Sequence, residues 1–288
     1  MQFGKIKQID RVYGERRERE PSFVMRDYHY HRFYEIYYVE RGSCQFFVGD
    51  SLYRIGEGSL LLIPPENLHY TSYRESCLRF SIYFRLADID RESDRTIRFR
   101  KRFAAPVLLQ IPSAWQGEIR KLLERMEQEE RFSDYSTAAC LRLLLNELLL
   151  QAIRFGNVEM EATGELYSED EAILRAARYI SRHYEERLTQ GKLATLSGYS
   201  PNYFSRRFRE TTGIGAHEYL RLTRLRHAAA LLRAGEQSVT VIALSVGFSD
   251  ANYFKDAFKA MYGISPREYR RECRRGEREN GMDTDPTA

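Results

Sequence analysis

The sequence predicts an α+β chain of several domains, in which a strand-rich N-terminal region, a helical connector and an all-α C-terminal region follow one another. Three observations support this fold class. Short runs rich in Tyr, Phe, Val and Ile, separated by turn-forming stretches such as "VGDS" and "IPPEN", occupy residues 22–111 and are typical of strands. Helical spacing of apolar residues replaces them after residue 114, and a segment near the C-terminus occurs twice.

Composition and charge restrict what the chain can do. The 288 residues allow two domains with separate cores, and Lys plus Arg number 45 against 41 for Asp plus Glu. The surplus is uneven, because residues 170–275 carry 19 Lys and Arg against 11 Asp and Glu. A basic C-terminal region joined to a near-neutral N-terminal region favours nucleic acid as a partner, although surplus surface arginine is the simpler alternative.

Neither a disulfide framework nor a membrane segment is expected. The four cysteines lie far apart and form no CxxC pair, so we expect reduced thiols. The N-terminus has no apolar run of the signal-peptide type, and the most apolar segment, "LRLLLNELLLQAIRF", is interrupted by charged and polar residues. We therefore predict a cytoplasmic protein with no membrane partner, and we expect no cofactor.

The connector is predicted to consist of two helices joined near "RFSDYS". Apolar residues recur at helical spacing, first at Ile119, Leu122, Leu123 and Met126 and then at Leu141, Leu144, Leu145, Leu148 and Leu149. The second helix, from Ser136 to Phe155, is apolar on more than half of its circumference. We expect it to dimerise the protein through Leu144 and Leu148; the alternative is a helix enclosed between two domains of one chain.

The repeated segment has the pattern of two helix-turn-helix units, at about residues 189–213 and 238–263. Its copies are "LATLSGYSPNYFSRRFRETTGIGAHEYLR" and "IALSVGFSDANYFKDAFKAMYGISPREYRR". In each copy a turn glycine precedes a serine, Ser200 or Ser249, that we expect to cap the second helix. The residues predicted to face outward are Asn202, Ser205, Arg206 and Arg209 in the first copy and Asn252, Lys255, Asp256 and Lys259 in the second.

The helix between the copies has a length suited to DNA. Residues 216–233 would span about 27 Å as a helix, which is comparable to the roughly 34 Å between successive major grooves on one face of DNA. Both second helices are therefore expected to enter adjacent grooves.

Residues 170–272 resemble the double helix-turn-helix DNA-binding domain of the AraC/XylS family of transcriptional regulators, most closely in "SVGFSDANYFKDAFKAMYGISPREYR". The resemblance implies that the base-reading positions are Asn202, Ser205 and Arg206 in the first recognition helix and Ala251, Asn252, Lys255 and Asp256 in the second. Two residues depart from the family pattern: Arg207 stands where an apolar residue is frequent, and Asp256 where a cation is common. The carboxylate of Asp256 could accept a hydrogen bond from cytosine, but phosphate repels it. The second helix is therefore expected to contribute more to positioning the protein on DNA than to sequence specificity.

The stretch "HYHRFYEIYYVERG", followed by "GSLLLIPPENLH", resembles the two motifs of the cupin β-barrel, whose enzymes hold a metal with three histidines and a glutamate. His29, His31 and Glu35 share strand parity and would point to one face. The second motif departs from the enzyme pattern, with Glu66 where a glycine is usual and Tyr73 where an asparagine is usual. In AraC/XylS relatives that carry this barrel it looks like an effector pocket, so a sensor is predicted. A metal held by His29, His31, Glu35 and His69 is the alternative.

The predicted effector-binding residues are His31, Glu35, Tyr37, His69 and Tyr83. Tyrosine rings beside these polar groups would suit a polar, ring-shaped ligand such as a sugar. Tyrosine is also a good strand former, which accounts for many of the tyrosines without any ligand.

These inferences divide the chain into a cupin-like effector-sensing domain (1–113), a helical connector with a dimerisation role (114–167), an AraC-type DNA-binding domain (168–275) and an acidic, disordered tail (276–288). The predicted function is sequence-specific transcriptional regulation under a small-molecule effector, without enzyme activity. The expected partners are double-stranded DNA, the effector, a second copy of the chain and, for an activator, RNA polymerase. The alternatives are a metal-dependent cupin enzyme with a DNA-binding appendage and an architectural protein that binds DNA without sequence choice.

Overall fold

The structure of the chain, a computed structural model, describes residues 9–21, 23, 31–158, 168–235 and 237–281. The chain forms two compact units, and the division falls between Tyr167 and Ser168. The described strands all lie in the N-terminal unit, whereas the C-terminal unit is helical. The predicted α+β class is thereby confirmed, with the connector helices belonging to the N-terminal unit.

The N-terminal unit is built on one antiparallel sheet. Its strands are Tyr13–Arg19 (β1), Tyr34–Val48 (β2), Ser51–Gly56 (β3), Ser59–Ile63 (β4), His69–Ser72 (β5), Cys77–Phe84 (β6), Val107–Gln110 (β7) and Asn157–Val158 (β8). The strand order is β1-β6-β2-β4-β7-β8, and β3 and β5 also pair with β2. A bulge between Val39 and Arg41 interrupts the pairing of β2 with β6. Since a bulge bends a strand, the first half of β2 can pair with β4 and β6, and its second half can pair with β3 and β5.

Strand β1 lies outside the predicted strand region, which began at residue 22. Its sequence, "YGERRER", contains no apolar run, so strand propensity does not reveal it. The strand forms because it pairs along its whole length with β6, from Tyr13 opposite Tyr83 to Arg19 opposite Cys77. Long-range pairing thus determines the structure of this charged segment.

Side chains of the sheet alternate between two buried clusters. One cluster, which includes Ile36, Tyr38, Leu60, Leu62, Phe80 and Ile82, packs against helices. The other includes Tyr37, Val39, Leu61, Ile63, Phe46 and Cys44 and fills the interior of the curved sheet. Because successive strand residues point to opposite faces, the fully buried run "SLLLI" of β4 contributes side chains to both clusters.

The helices of this unit are Arg91–Ile97 (α1), Phe99–Arg102 (α2), Ser113–Phe132 (α3) and Thr137–Phe155 (α4). The last two are the predicted connector helices, and they join the sheet in a single core. Leu144 and Leu148 are 5% and 0% exposed within one chain. The expectation that these two leucines form a dimer interface is therefore wrong, because the sheet, α1 and α3 cover the face of α4 that carries them.

The C-terminal unit contains seven described helices. They are Ser168–Arg182 (α5), Gln190–Ser197 (α6), Pro201–Thr212 (α7), Ala216–Ala234 (α8), Val239–Ser245 (α9), Ala251–Tyr262 (α10) and Pro266–Gly281 (α11). Helices α6 and α7 form the first helix pair, and α9 and α10 the second, on either side of α8. The backbone of α11 reaches Gly281, so the tail predicted from residue 276 begins as helix.

Local signals define the ends of these helices. Gly198 and Gly247 have φ values of 72° and 92°, which allow the tight turn inside each pair. Ser200 caps α7 as expected, since its side chain accepts from the Tyr203 amide. The expected cap of α10, Ser249, is wrong: Asp250 accepts from the amides of Asn252 and Tyr253, because the second copy contains one additional residue before this helix.

Within the part of the chain that the structure describes, no helix combines the length and apolarity that crossing a bilayer requires.

Candidate DNA-binding surface and effector pocket

The first candidate surface is the outward face of α7. Asn202, Ser205, Arg206 and Arg209 are all exposed on it. The opposite face buries Phe204 and Phe208 completely, so packing of the two rings fixes the polar face toward solvent. The neutral Ser200 cap also leaves the positive end of α7 without a fixed anion, and such an end attracts a DNA phosphate.

The two adjacent arginines of α7 differ in environment. Arg206 is an exposed side chain whose guanidinium lies 5.3 Å from the centre of the Tyr203 ring. Arg207, noted above as a departure from the family pattern, is only 21% exposed, and its NH1 lies 3.3 Å from Glu210. Arg206 is therefore available to a base edge or a phosphate. Arg207 is mostly buried beside Glu210, so it contributes to the packing of the domain.

The corresponding face of α10 carries mixed charge. Asn252, Lys255, Asp256 and Lys259 are exposed, Ala251 is half-buried, and Phe254 and Phe258 anchor the helix. Two backbone amides hold the pKa of Asp250 below its usual value, so an anion caps this helix. With Asp256 nearby in the sequence, the N-terminal half of α10 is less attractive to phosphate than that of α7. Tyr253 is not among the predicted DNA-binding residues, but it is 54% exposed on this helix and available to a thymine methyl group.

The second candidate site is a cavity of about 220 Å³ in the N-terminal unit. Four of the predicted effector-binding residues line it, namely Glu35, Tyr37, His69 and Tyr83. The fifth, His31, lies directly beside Glu35, with 3.0 Å between His31 Nε2 and Glu35 Oε2. The strands bring all five together although they span more than fifty positions of sequence.

Glu35 is the centre of a hydrogen-bonded cluster. Its Oε2 also lies 3.4 Å from His69 Nε2, and its Oε1 accepts from the Ser81 hydroxyl at 3.2 Å. Burial alone would raise the pKa of Glu35, but the hydrogen bonds with His31 and His69 outweigh it and place the pKa well below its usual value. Glu35 is therefore a buried carboxylate anion.

The two histidines share an orientation. His31 Nδ1 lies 2.7 Å from the Phe33 carbonyl oxygen, and His69 Nδ1 lies 2.9 Å from that of Asn67. If Nδ1 donates to these carbonyls, Nε2 can donate to Glu35 only when the ring is protonated, whereas a neutral ring directs its Nε2 lone pair at the carboxylate. The negative charge of Glu35 is balanced only when a cation lies between these groups. This cation is either a proton on one of the rings or a divalent ion.

The donor set of this cluster fits a divalent ion. The ligand atoms of His31, Glu35 and His69 all lie within 4.8 Å of one another, as in no other such group of the described residues. Nε2 of both rings and the carboxylate would hold the ion, which would polarise a ligand oxygen. His29, the fourth residue of the predicted metal alternative, lies outside the described residues.

The cavity also contains charged residues that the sequence analysis missed. Glu15, Arg17 and Arg19 of β1 and Arg79 of β6 line it, and Glu15 pairs with Arg79 at 3.1 Å and Arg17 at 2.7 Å. A signal for Arg79 was present, since it is the single charged residue of "CLRFSIYF" and shares strand parity with Tyr83. No such signal marks β1.

Aromatic hydroxyls complete the lining. Tyr37 and Tyr73 have their hydroxyl oxygens 2.9 Å apart. Burial raises the pKa of Tyr73 to about 12 and that of Tyr83 further. Both side chains are therefore neutral hydrogen-bonding groups at physiological pH.

Several known proteins are similar to the chain. The HTH-type transcriptional activator RhaS of Escherichia fergusonii is 27% identical over 254 residues, covering 84% of this chain and 86% of RhaS. The C-terminal domain of AraT, a response regulator from Geobacillus stearothermophilus, is 36% identical over 35% of this chain and 84% of that domain, with a TM-score of 0.34. ToxT from Vibrio cholerae is 14% identical over 91% of this chain and 98% of ToxT, with a TM-score of 0.35.

Two helix-turn-helix pairs joined to a domain that encloses a polar cavity define a transcriptional regulator with its own ligand-binding domain. A family model described as an AraC-like ligand binding domain matches residues 13–151, and one described as a helix-turn-helix domain matches residues 193–272. The chain belongs to the AraC family of transcriptional regulators. RhaS is a transcriptional activator, and the family models give no support to the alternative of a cupin enzyme.

Proposed function

We propose that α7 is the main specificity helix of the C-terminal unit and that α10 mainly positions the protein on DNA. The observation that carries this proposal is the exposed face of α7, which combines amide, hydroxyl and guanidinium groups with a helix end free of fixed anions. These groups can donate to and accept from base edges in a major groove. On α10, Asp250 and Asp256 oppose the phosphate backbone, so Lys255 and Lys259 serve mainly as phosphate contacts.

The length of α8 supports contact of the two recognition helices with adjacent grooves. Helix α8 has 19 residues and therefore a length of about 28 Å. Asn202, Ser205, Arg206 and Arg209 would then contact one groove. Ala251, Asn252, Lys255, Asp256 and Lys259 would contact the next groove on the same face of the duplex.

The cavity of the N-terminal unit is proposed as the effector pocket. A volume near 220 Å³ suits a ligand below the usual drug size, such as a monosaccharide. Glu35, His69, Tyr37 and Tyr83 offer hydrogen bonds to ligand hydroxyls, and His31 orients Glu35 from behind. Their convergence on one cavity supports a polar, sugar-like effector. The match to an AraC-like ligand binding domain supports an effector site in place of a catalytic metal centre.

The proposed mode of action is a shift of populations. The effector would stabilise one arrangement of the protein over another, so that binding in the pocket changes operator affinity. We propose a cytoplasmic homodimer that contacts RNA polymerase when it activates transcription. The leucine available for a dimer interface on α4 is Leu143, which is 72% exposed.

Genome-wide mapping of bound sites, followed by binding assays on the recovered duplexes, tests the proposal. We expect a shared sequence element in the bound sites and loss of binding when that element is scrambled. Equal affinity for scrambled and recovered duplexes would contradict sequence-specific regulation and favour an architectural DNA-binding protein.

A further inference from the structure

Arg79 is a buried arginine with more hydrogen-bond donors than partners. It lines the cavity, and its side chain is 7% exposed. Its NH2 donates to Glu15 at 3.1 Å, but its Nε and NH1 have no hydrogen-bond partner among the described residues. Because buried N–H groups lose their bonds to water on folding, such unpaired donors destabilise the unliganded protein.

Other unpaired polar groups lie around the same cavity. The Thr71 hydroxyl is fully buried and lacks a partner in the described part of the chain, and so does Arg19 Nε. Both residues line the cavity with Arg79. Glu15 Oε2, which also lines the cavity, makes no hydrogen bond either. Three of these five atoms are guanidinium nitrogens, so donors predominate around the cavity.

Both carboxylates of the cavity have polar side chains close to them, although Glu15 Oε2 itself makes no hydrogen bond. Glu15 is shared between Arg17 and Arg79. Glu35 has His31, His69 and Ser81 as partners. Burial opposes the charge of Arg79, but the surrounding Tyr83, Tyr37, Glu35 and Glu15 raise its pKa above the usual value, so it remains a cation. Three arginines and two glutamates line the cavity, so positively charged side chains outnumber carboxylates there.

We propose that the effector is a sugar acid of monosaccharide size whose carboxylate binds Arg79 through one of its free donors, Nε or NH1. This inference rests on the proposed role of the cavity as the effector pocket. The two donors lie on different edges of the guanidinium group, so one carboxylate oxygen accepts from one of them, and the carboxylate supplies the missing negative charge. The rings of Tyr37, Phe46 and Tyr83 pack against ligand carbon atoms, while Thr71, Glu35 and His69 bind its hydroxyls.

The experiment compares acids with their neutral parents by thermal shift. The probes are galacturonate with galactose, glucuronate with glucose, and gluconate with glucitol. Full-length wild type, Arg79→Gln, Arg79→Lys and a control, Arg41→Gln, are each titrated. Arg41 is a suitable control because it is a strand arginine of the same unit with a side chain 67% exposed.

We expect an acid, and not its neutral parent, to raise the Tm of wild type and of Arg41→Gln. Arg79→Gln should weaken this acid by about tenfold or more, because it removes a charged hydrogen-bond pair. Arg79→Lys, which keeps the charge without the planar fork, should retain part of the response. The unliganded Tm of each variant is the reference for its own titration, because Arg79→Gln removes the ion pair with Glu15 as well as the unpaired donors.

The inference is overturned if no acid raises Tm more than its neutral parent, or if Arg79→Gln responds to acid as wild type does. A neutral sugar that raises Tm and changes operator affinity would support the proposed effector pocket but contradict the proposal that the effector carries a carboxylate. An acid that acts through Arg79 but leaves operator affinity unchanged would retain the inference and overturn the proposed control of DNA binding.

Discussion

Glu210 lies one helical turn after Arg206 on α7, with 3.9 Å between its Oε1 and the guanidinium Nε of Arg206. Both side chains are more than half exposed, so this ion pair is weak in water. It nevertheless holds the arginine near an anion when DNA is absent. If Arg206 contacts DNA as proposed, it exchanges Glu210 for a base edge or a phosphate.

Arg206→Ala is expected to cost about 1 to 3 kcal/mol on the preferred site and to relax discrimination at the base that it reads. Glu210→Gln should strengthen binding to all duplexes, because it removes a competing anion. Fluorescence anisotropy with the mapped site and a scrambled duplex measures both. Arg175→Ala, which removes an exposed arginine from α5, is the control. An equal loss on both duplexes would make Arg206 a phosphate contact.

Asp256→Asn tests the proposed role of α10. Removing an exposed anion from this helix should raise the affinity for random duplexes. The dependence of that affinity on salt concentration should fall only slightly, since no phosphate contact is lost. Discrimination between sites should stay nearly constant. If the variant instead loses about 1 to 3 kcal/mol on the preferred site alone, Asp256 accepts a hydrogen bond from cytosine, and α10 specifies sequence.

The sequence predicted local features better than long-range ones. The predicted helix-turn-helix ranges coincide with the segments from Thr189 to Gly213 and from Ser238 to Gly263, because caps and glycines act on neighbouring residues. Strand β1 and its cavity residues depend on pairing with β6, to which its charged sequence gives no clue. The enclosure of α4 likewise depends on tertiary packing, so periodicity alone could not separate a core helix from a dimer helix.

Glu66 shows how a departure from a motif acquires physical meaning. It stands where a glycine is usual in the cupin motif, and the structure gives it a φ of 63°. A non-glycine residue in this left-handed region costs about 1 to 2 kcal/mol. Its amide donates to the His31 carbonyl at 2.8 Å, so the strained turn connects the loop before His69 to the other histidine of the cluster.

Leu143 and Leu144 of α4 provide a matched pair for oligomeric state. Leu143→Asp changes an exposed side chain, so we expect a folded protein that is monomeric by analytical ultracentrifugation and binds its site weakly. Leu144→Asp places a charge in the core and should unfold the N-terminal unit. A Leu143→Asp variant that remains dimeric would place the interface elsewhere.

His227 predicts a pH dependence of the C-terminal unit. Burial first, and then Arg226, lower the pKa of His227 below the usual 6.5, against a smaller opposing effect of Glu185. Its ring stacks on Tyr184 at 3.8 Å. Because the unfolded chain binds the proton more readily, stability should fall as pH decreases from 6.5 toward the folded-state pKa. Urea unfolding at several pH values should show this slope in wild type and a weaker slope in His227→Gln. An identical slope in both would assign it to other groups.

Glu35 decides between an effector pocket and a metal centre. If His31, Glu35 and His69 form a metal-free pocket, a strong chelator should leave Tm unchanged, whereas the effector should raise Tm and alter operator affinity together. Glu35→Gln should weaken the effector, because it removes the anion that the two histidines orient. Glu57→Gln, at a carboxylate 56% exposed in the same unit, should behave as wild type. One tightly held metal per chain by elemental analysis, with a fall in Tm on chelation and loss of that metal in Glu35→Gln, would show instead that the cluster is a metal site.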